Sequence, residues 1–151
     1  MEGEGMPGIV VGVDSSLHAK LALEWAMKEA AIRDTPLTVL AVHKAVAGFY
    51  SSGVAYPGDD ALTDKVGQAA QADADAVAAT LGDAAPKSVT VLAVNGVPAE
   101  ALIKASSDAD LLVLGSRGAG GFAQLRLGSV STQVTHHSHC PVVVVPPADR
   151  H

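Results

Sequence analysis

Residues Leu111 to Val130 read LLVLGSRGAGGFAQLRLGSV, and this stretch decides the fold. It opens with a continuous apolar run, Leu111 to Leu114, the mark of a strand buried on both faces as in a parallel sheet. Glycines follow in quick succession at Gly115, Gly118, Gly120 and Gly121. Leu125 and Leu127 come next, then Gly128-Ser129-Val130 and the start of a helical pattern. Strand, glycine loop and helix start, in that order, let a backbone wrap around a phosphate. Glycine lacks a Cβ, so the chain reaches φ > 0 and approaches a ligand closely. The unpaired N–H groups of a helix start point outward and attract anions.

The spacing says more than the glycine content. Gly115 and Gly118 are two residues apart in the pattern, and nine residues separate Gly118 from Gly128-Ser129. This G-x2-G-x9-G-S arrangement resembles the nucleotide-binding signature of the universal stress protein family, in its ATP-binding branch. The competing reading of the same glycines is a tight surface loop.

Outward from this stretch, strands and helices alternate. Residues Met1 to Pro7 read as a flexible lead-in. Gly3, Gly5 and Gly8 there match G-x-G-x-x-G on paper, but a dinucleotide fingerprint must follow a strand and open a helix. This one precedes the first strand and is rejected. Ile9 to Val13 is a buried strand ending at Asp14, and Ser15 or Ser16 can cap the helix that follows. Leu17, Leu21, Trp25 and Ile32 form its apolar stripe, and Pro36 ends it near Asp34 by excluding Thr35 from the α region. Leu37 to Val42 is a second buried strand, followed by His43, which reads as a strand-end residue near the surface. Lys44 to Asp60 is irregular, broken by Gly48, Gly53, Pro57 and Gly58. A loop of that length is either functional, closing over a pocket, or a disordered insertion.

Ala61 to Leu81 reads as a second helix, with Leu62, Val66, Ala70, Ala74, Val77 and Leu81 at helical spacing and Gly82 as its stop. Ser88 to Val94 is a third strand. Pro98 then fits the first turn of a helix running to Ser107. After the organising strand, a fourth helix spans about Val130 to Ser138, and Val142 to Val145 is a last strand that Pro146-Pro147 terminates. Strands alternating with helices imply parallel pairing through right-handed crossovers. The expected fold is α/β: one domain, a five-stranded parallel doubly wound sheet with helices on both faces. The family resemblance implies strand order 3-2-1-4-5, of the adenine nucleotide α-hydrolase-like type. The first and fourth strands are then central, and the switch point between them sets Asp14 and Gly115 on facing sides of one crevice.

Asp14 alone reads equally as a turn or capping residue. GVDSS, however, resembles the family's first-strand ending, where the aspartate lies by the nucleotide. The resemblance also implies that Val42 lines the adenine pocket through its backbone. It places the adenine near Val13 and Val42, the ribose near Asp14 and Gly115, and the phosphates at Gly118, Gly128 and Ser129. Ser131 and Arg117 are weaker additions, and Ser15, Leu114 and Val130 complete the expected contact set. Arg126 reads better as a solvated arginine. The implied cofactor is ATP, with Mg²⁺ a companion that Asp14 would hold directly or through water. cAMP or AMP is the alternative ligand.

Composition narrows the functions further. Net charge is −6, which argues against nonspecific binding to nucleic acid or anionic membranes. Aromatic residues make up 3%, too few for a base-stacking RNA platform. No apolar run approaches the ~20 residues that span a bilayer. The N-terminus MEGEGMPG has no apolar signal core, and the single Cys140 cannot form an internal disulfide. Together these lead to an expectation of a cytoplasmic protein.

His136, His137, His139 and Cys140 suggest a metal cluster, but adjacent helical residues diverge by about 100° and a closed zinc site needs four convergent ligands. There is no G-x4-G-K-[ST] phosphate loop, and no confident Ser/His/Asp arrangement. The expected function is therefore a nucleotide-binding stress-response module without strong catalysis. The alternatives are a cAMP-binding signalling module, a slow ATPase switch and a dimeric adaptor without nucleotide. The resemblance further implies a homodimer, with the edge strand Val142, Val143, Val144, Val145 pairing antiparallel across a two-fold axis.

Overall fold

The computed structural model describes residues 7–14, 17–43, 48–50, 53–55, 59–116 and 128–147. The chain runs through β1 (Ile9–Val13), α1 (Leu17–Arg33), β2 (Leu37–His43), β3 (Gly48–Tyr50) and β4 (Gly53–Ala55). It continues through α2 (Asp59–Leu81), β5 (Val89–Asn95), α3 (Pro98–Ser106), β6 (Leu111–Gly115), α4 (Ser129–His137) and β7 (Val142–Val145). The main sheet is parallel, in the order β5-β2-β1-β6-β7. Counting only its five strands, that is the expected 3-2-1-4-5.

The two-residue period of the strands sorts the core into two layers. Ile9 and Val11 of β1, Leu37 and Val39 of β2, and Leu111 and Val113 of β6 face α1 and α2, meeting Ala22, Leu23, Ala26, Met27, Ala30 and Ala74. The intervening residues Val10, Leu40, Leu112 and Leu114 face α3 and α4, meeting Ala99, Leu102, Ala105 and Val134. A strand apolar at every position is what a sheet covered on both faces requires. Gly12 belongs to the second layer. A Cβ there would lie 2.9 Å from Leu102 Cδ2, so the missing side chain lets α3 approach β1.

The helix ends follow local chemistry. After α1, the Asp34 amide donates to Ala31 O and the Thr35 amide to Ala30 O, with Asp34 at φ 53. This is a Schellman motif with an aspartate where glycine is usual, and Pro36 then starts the run into β2. Gly82, at φ 55, performs the same reversal after α2. Pro98 sits in the first turn of α3, where a missing N–H costs nothing.

Several expectations need correction. The expected irregular stretch of 44–60 contains the antiparallel hairpin β3–β4, with Phe49 opposite Val54, and α2 begins at Asp59 rather than Ala61. The third and fourth helices end one residue before the expected Ser107 and Ser138, and α4 begins at Ser129 rather than Val130. Ile32 does not join the apolar stripe of α1. It is 78% exposed, because it lies about 200° around the helix from the buried Ala30 and so faces away from the sheet. Leu62, near the start of α2, is also exposed. No described helix is long and apolar enough to cross a membrane.

Candidate functional site

The central strands β1 and β6 are neighbours, yet they lead to opposite faces of the sheet. β1 is followed by α1 on one face and β6 by α4 on the other. That is a topological switch point, and sheets of this kind bind ligands beyond the C-terminal strand ends at such a point. Register aligns the residues there. Ala41 of β2 lies beside Val13 and Val145 of β7 beside Gly115. The β1–β6 pairing runs as far as Val11 with Val113, and Val13 and Gly115 each follow two residues later. One row past them come Asp14, Val42 and Ser116.

The sequence-expected residues therefore gather at one pole. Val13 and Val42 are half-buried, with side chains on opposite faces of the sheet. Asp14 is exposed at the exit of β1. Leu114 is 4% exposed and packs into the α3–α4 layer, so only its backbone reaches the pole. Gly115 ends β6. Gly128, Ser129, Val130 and Ser131 form the start of α4. Ser15, Arg117 and Gly118 lie outside the described residues.

The start of α4 has the features of an anion cradle. Its N-cap is Gly128, at φ −67 and ψ 166, and among the described residues no side chain caps the helix. The first amides of an α-helix have no intrahelical partner, and the helix dipole adds partial positive charge there. Two hydrogen bonds hold this end against β6. The Gly128 amide donates to Ser116 O at 2.7 Å, and Ser131 Oγ donates to Gly115 O at 2.7 Å. Ser116 is in turn tied to the next strand, its amide donating to Val145 O at 3.0 Å. The Thr132 amide makes the first helical bond, to Gly128 O at 2.9 Å.

Two residues of this pole were missed in the sequence. Ser116 has no motif signal, since it contributes only backbone. His43, read as a surface residue, is half-buried: one ring nitrogen, Nε2, lies 2.8 Å from Thr63 Oγ1 of α2, and its carbonyl accepts from the Gly96 amide at 2.8 Å. Its Nδ1 is buried without a hydrogen-bond partner. The alternation of β2 was the available signal, because it turns His43 to the same face as Val39. At the other end of α4, the His136 and His137 rings are 6.2 Å apart, and Ser138 Oγ donates to Cys140 O at 2.8 Å. Among the described residues no three metal-ligating side chains converge.

Comparison with known proteins places the chain. The model of the universal stress protein family matches residues 6–146. A universal stress protein of Mycolicibacterium smegmatis is 36% identical over 143 residues, covering 91% of this chain and 47% of that one. The chain thus spans about half the length of the curated relatives it matches. Among solved structures, universal stress protein UspA from Lactobacillus plantarum superposes with a TM-score of 0.69 at 25% identity, covering 93% of this chain and 98% of that one. A universal stress protein solved in complex with cAMP gives a TM-score of 0.65 at 25% identity, covering 95% and 98%. The chain belongs to the universal stress protein family.

Proposed function

We propose that this member of the universal stress protein family binds an adenine nucleotide at the C-terminal pole of its sheet, and that ATP is the ligand. The observation that carries the reading is the uncapped start of α4, held by Gly128 and Ser131 against the end of β6 at the switch point. Backbone amides and a serine hydroxyl are donors, and a triphosphate is a dense set of acceptors. The adenine rests near Val13 and Val42 and the ribose near Asp14 and Gly115. The phosphates lie on Gly128, Ser129 and Val130, and Gly118, Arg117 and Ser15 remain expected contacts from the sequence motif. Where Mg²⁺ accompanies the phosphates, Asp14 is the carboxylate at the end of β1 placed to hold it, directly or through water.

No residue of the pole is assigned a base or nucleophile role, so the nucleotide acts as a signal, with turnover slow at most. The exposed backbone edge of β7 pairs two copies of the chain into a homodimer.

Calorimetric titration of the pure protein with ATP is the test. Binding in the micromolar range is expected, and a protein that takes up no adenine nucleotide would overturn the reading. One specific observation favours a second ligand: the neighbouring universal stress protein solved with cAMP. Competition separates the two, since cAMP lacks the extended triphosphate that Ser129 would contact. Mass spectrometry of any small molecule copurifying with the native protein gives an independent answer.

A further inference from the structure

Two serines open α4, and their surroundings divide them. Ser129 is exposed, whereas Ser131 is 4% exposed with its Oγ donating to Gly115 O at 2.7 Å. We propose that Ser131 is a positioning residue for the anion cradle and that Ser129 supplies the direct hydroxyl contact to phosphate. This assignment rests on the nucleotide-binding reading above.

A serine hydroxyl carries a single proton. In Ser131 that proton is engaged by the carbonyl of Gly115, and a fully ionised phosphate oxygen needs a donor. Ser131 therefore has nothing to give the ligand while this bond stands. Its value is to the two groups around it. Gly115 ends β6, and its carbonyl without Ser131 would present bare lone pairs beside the place where phosphates collect. The hydroxyl satisfies that oxygen and removes an acceptor from an anion site.

The same bond fixes the helix. Gly128 is anchored to Ser116 O through its amide, and Ser131 to Gly115 O through its side chain. The amides of Ser129 and Val130 lie between these two anchors. Donors held on both sides before a ligand arrives need no further ordering to bind it, which is where preorganised sites gain affinity.

Ser131→Ala removes the bond, and Ser131→Thr keeps the hydroxyl. Titration with ATP and with adenosine separates positioning from general damage, since adenosine carries the base and ribose without phosphate. The expected result for Ser131→Ala is ATP affinity weakened about tenfold with adenosine affinity unchanged, and restoration of ATP affinity in Ser131→Thr. ATP and adenosine affinities falling together, or ATP affinity equal to that of the parent, would overturn the assignment. If Ser131→Ala fails to fold, Ser131→Cys keeps the bulk with a weak S–H donor, and the same split is expected in smaller measure. Unchanged ATP affinity in Ser131→Cys overturns it equally.

A readout without ligand keeps this assignment separable from the nucleotide-binding reading. Amide hydrogen exchange at Thr132, whose N–H makes the first helical bond to Gly128 O, should be faster in the ligand-free Ser131→Ala protein than in the parent. If the parent binds no ATP, the functional reading fails. Unchanged exchange at the Thr132 amide sinks the positioning role even where ATP binds.

Discussion

The amide of Gly128 donates to the carbonyl of Ser116 at 2.7 Å, which joins the two ends of the segment between them and sets the direction of α4. Because Gly128 is also the N-cap, one position controls both helix stability and anion access. Its φ of −67 and ψ of 166 are ordinary extended values that any residue adopts. Aspartate is among the best N-cap residues, and replacing a glycine cap with it gains a few tenths of a kcal/mol. Gly128→Asp should therefore raise the melting temperature by about 1 °C or leave it unchanged. The same carboxylate occupies the amides meant for phosphate, so ATP affinity should fall at least about tenfold. Lost affinity together with a lower melting temperature would mean the variant is merely damaged and would defeat the cradle argument.

Gly8 precedes β1 and Gly12 lies within it, and the two should respond differently to alanine. Gly8 lies at φ 90, and a Cβ there would meet the Pro36 carbonyl oxygen at 2.4 Å. Both the dihedral and the backbone contact oppose a side chain, so Gly8→Ala should cost about 2–4 kcal/mol in urea unfolding. Gly12 meets only the end of the Leu102 side chain, at 2.9 Å. Gly12→Ala should cost about 1–2 kcal/mol. Combined with Leu102→Ala, the loss should be smaller than the sum of the two single changes, because the added methyl then enters the space that leucine vacates. Strict additivity would show that the two do not touch in solution.

Much of this architecture was legible in the sequence, where the residue pattern and the burial agree. Ile9–Val13 and Val142–Val145 keep their expected bounds because an apolar run between turn residues has only one reading at that length. The β3–β4 hairpin escaped notice for a local reason. Two residues, Ser51 and Ser52, separate its strands, and neither is the glycine, asparagine or aspartate that marks a two-residue turn. Three-residue strands also carry too little alternation to be seen. At the candidate site, Gly115, Gly128 and Ser129 carry a spacing signal in the sequence. Ser116 and the engagement of Ser131 with Gly115 do not, since main-chain acceptors leave no trace in residue type.

Asp34 offers a stabilising substitution. It sits at φ 53 in the Schellman motif after α1, and both bonds of that motif are made by backbone amides, its own and that of Thr35. A side chain adds strain at that dihedral, and glycine removes it without breaking either bond. The greater freedom of glycine in the unfolded chain offsets part of the gain. Asp34→Gly should raise the unfolding free energy by about 0.5–1 kcal/mol, measured by chemical denaturation. A loss instead would show that the aspartate side chain contributes more than its backbone strain costs.

The proposed dimer makes a demand on one edge of the sheet that single residues can test. Leu112 donates its amide to Pro141 O, and Ser116 donates its amide to Val145 O. Residues 141, 143 and 145 therefore turn their backbone groups toward β6, and Val142 and Val144 turn theirs to the open edge. Proline at an outward position removes an N–H that no bond among the described residues uses, whereas at an inward position it breaks the ladder. Val144→Pro should leave a folded chain whose melting temperature barely moves, while light scattering at micromolar concentration changes from dimer to monomer. Val143→Pro should instead destabilise the subunit by about 3 kcal/mol. If the parent chain already scatters as a monomer, or if Val144→Pro remains dimeric, two copies do not meet along β7. The partly exposed valines of that strand would then need another cover.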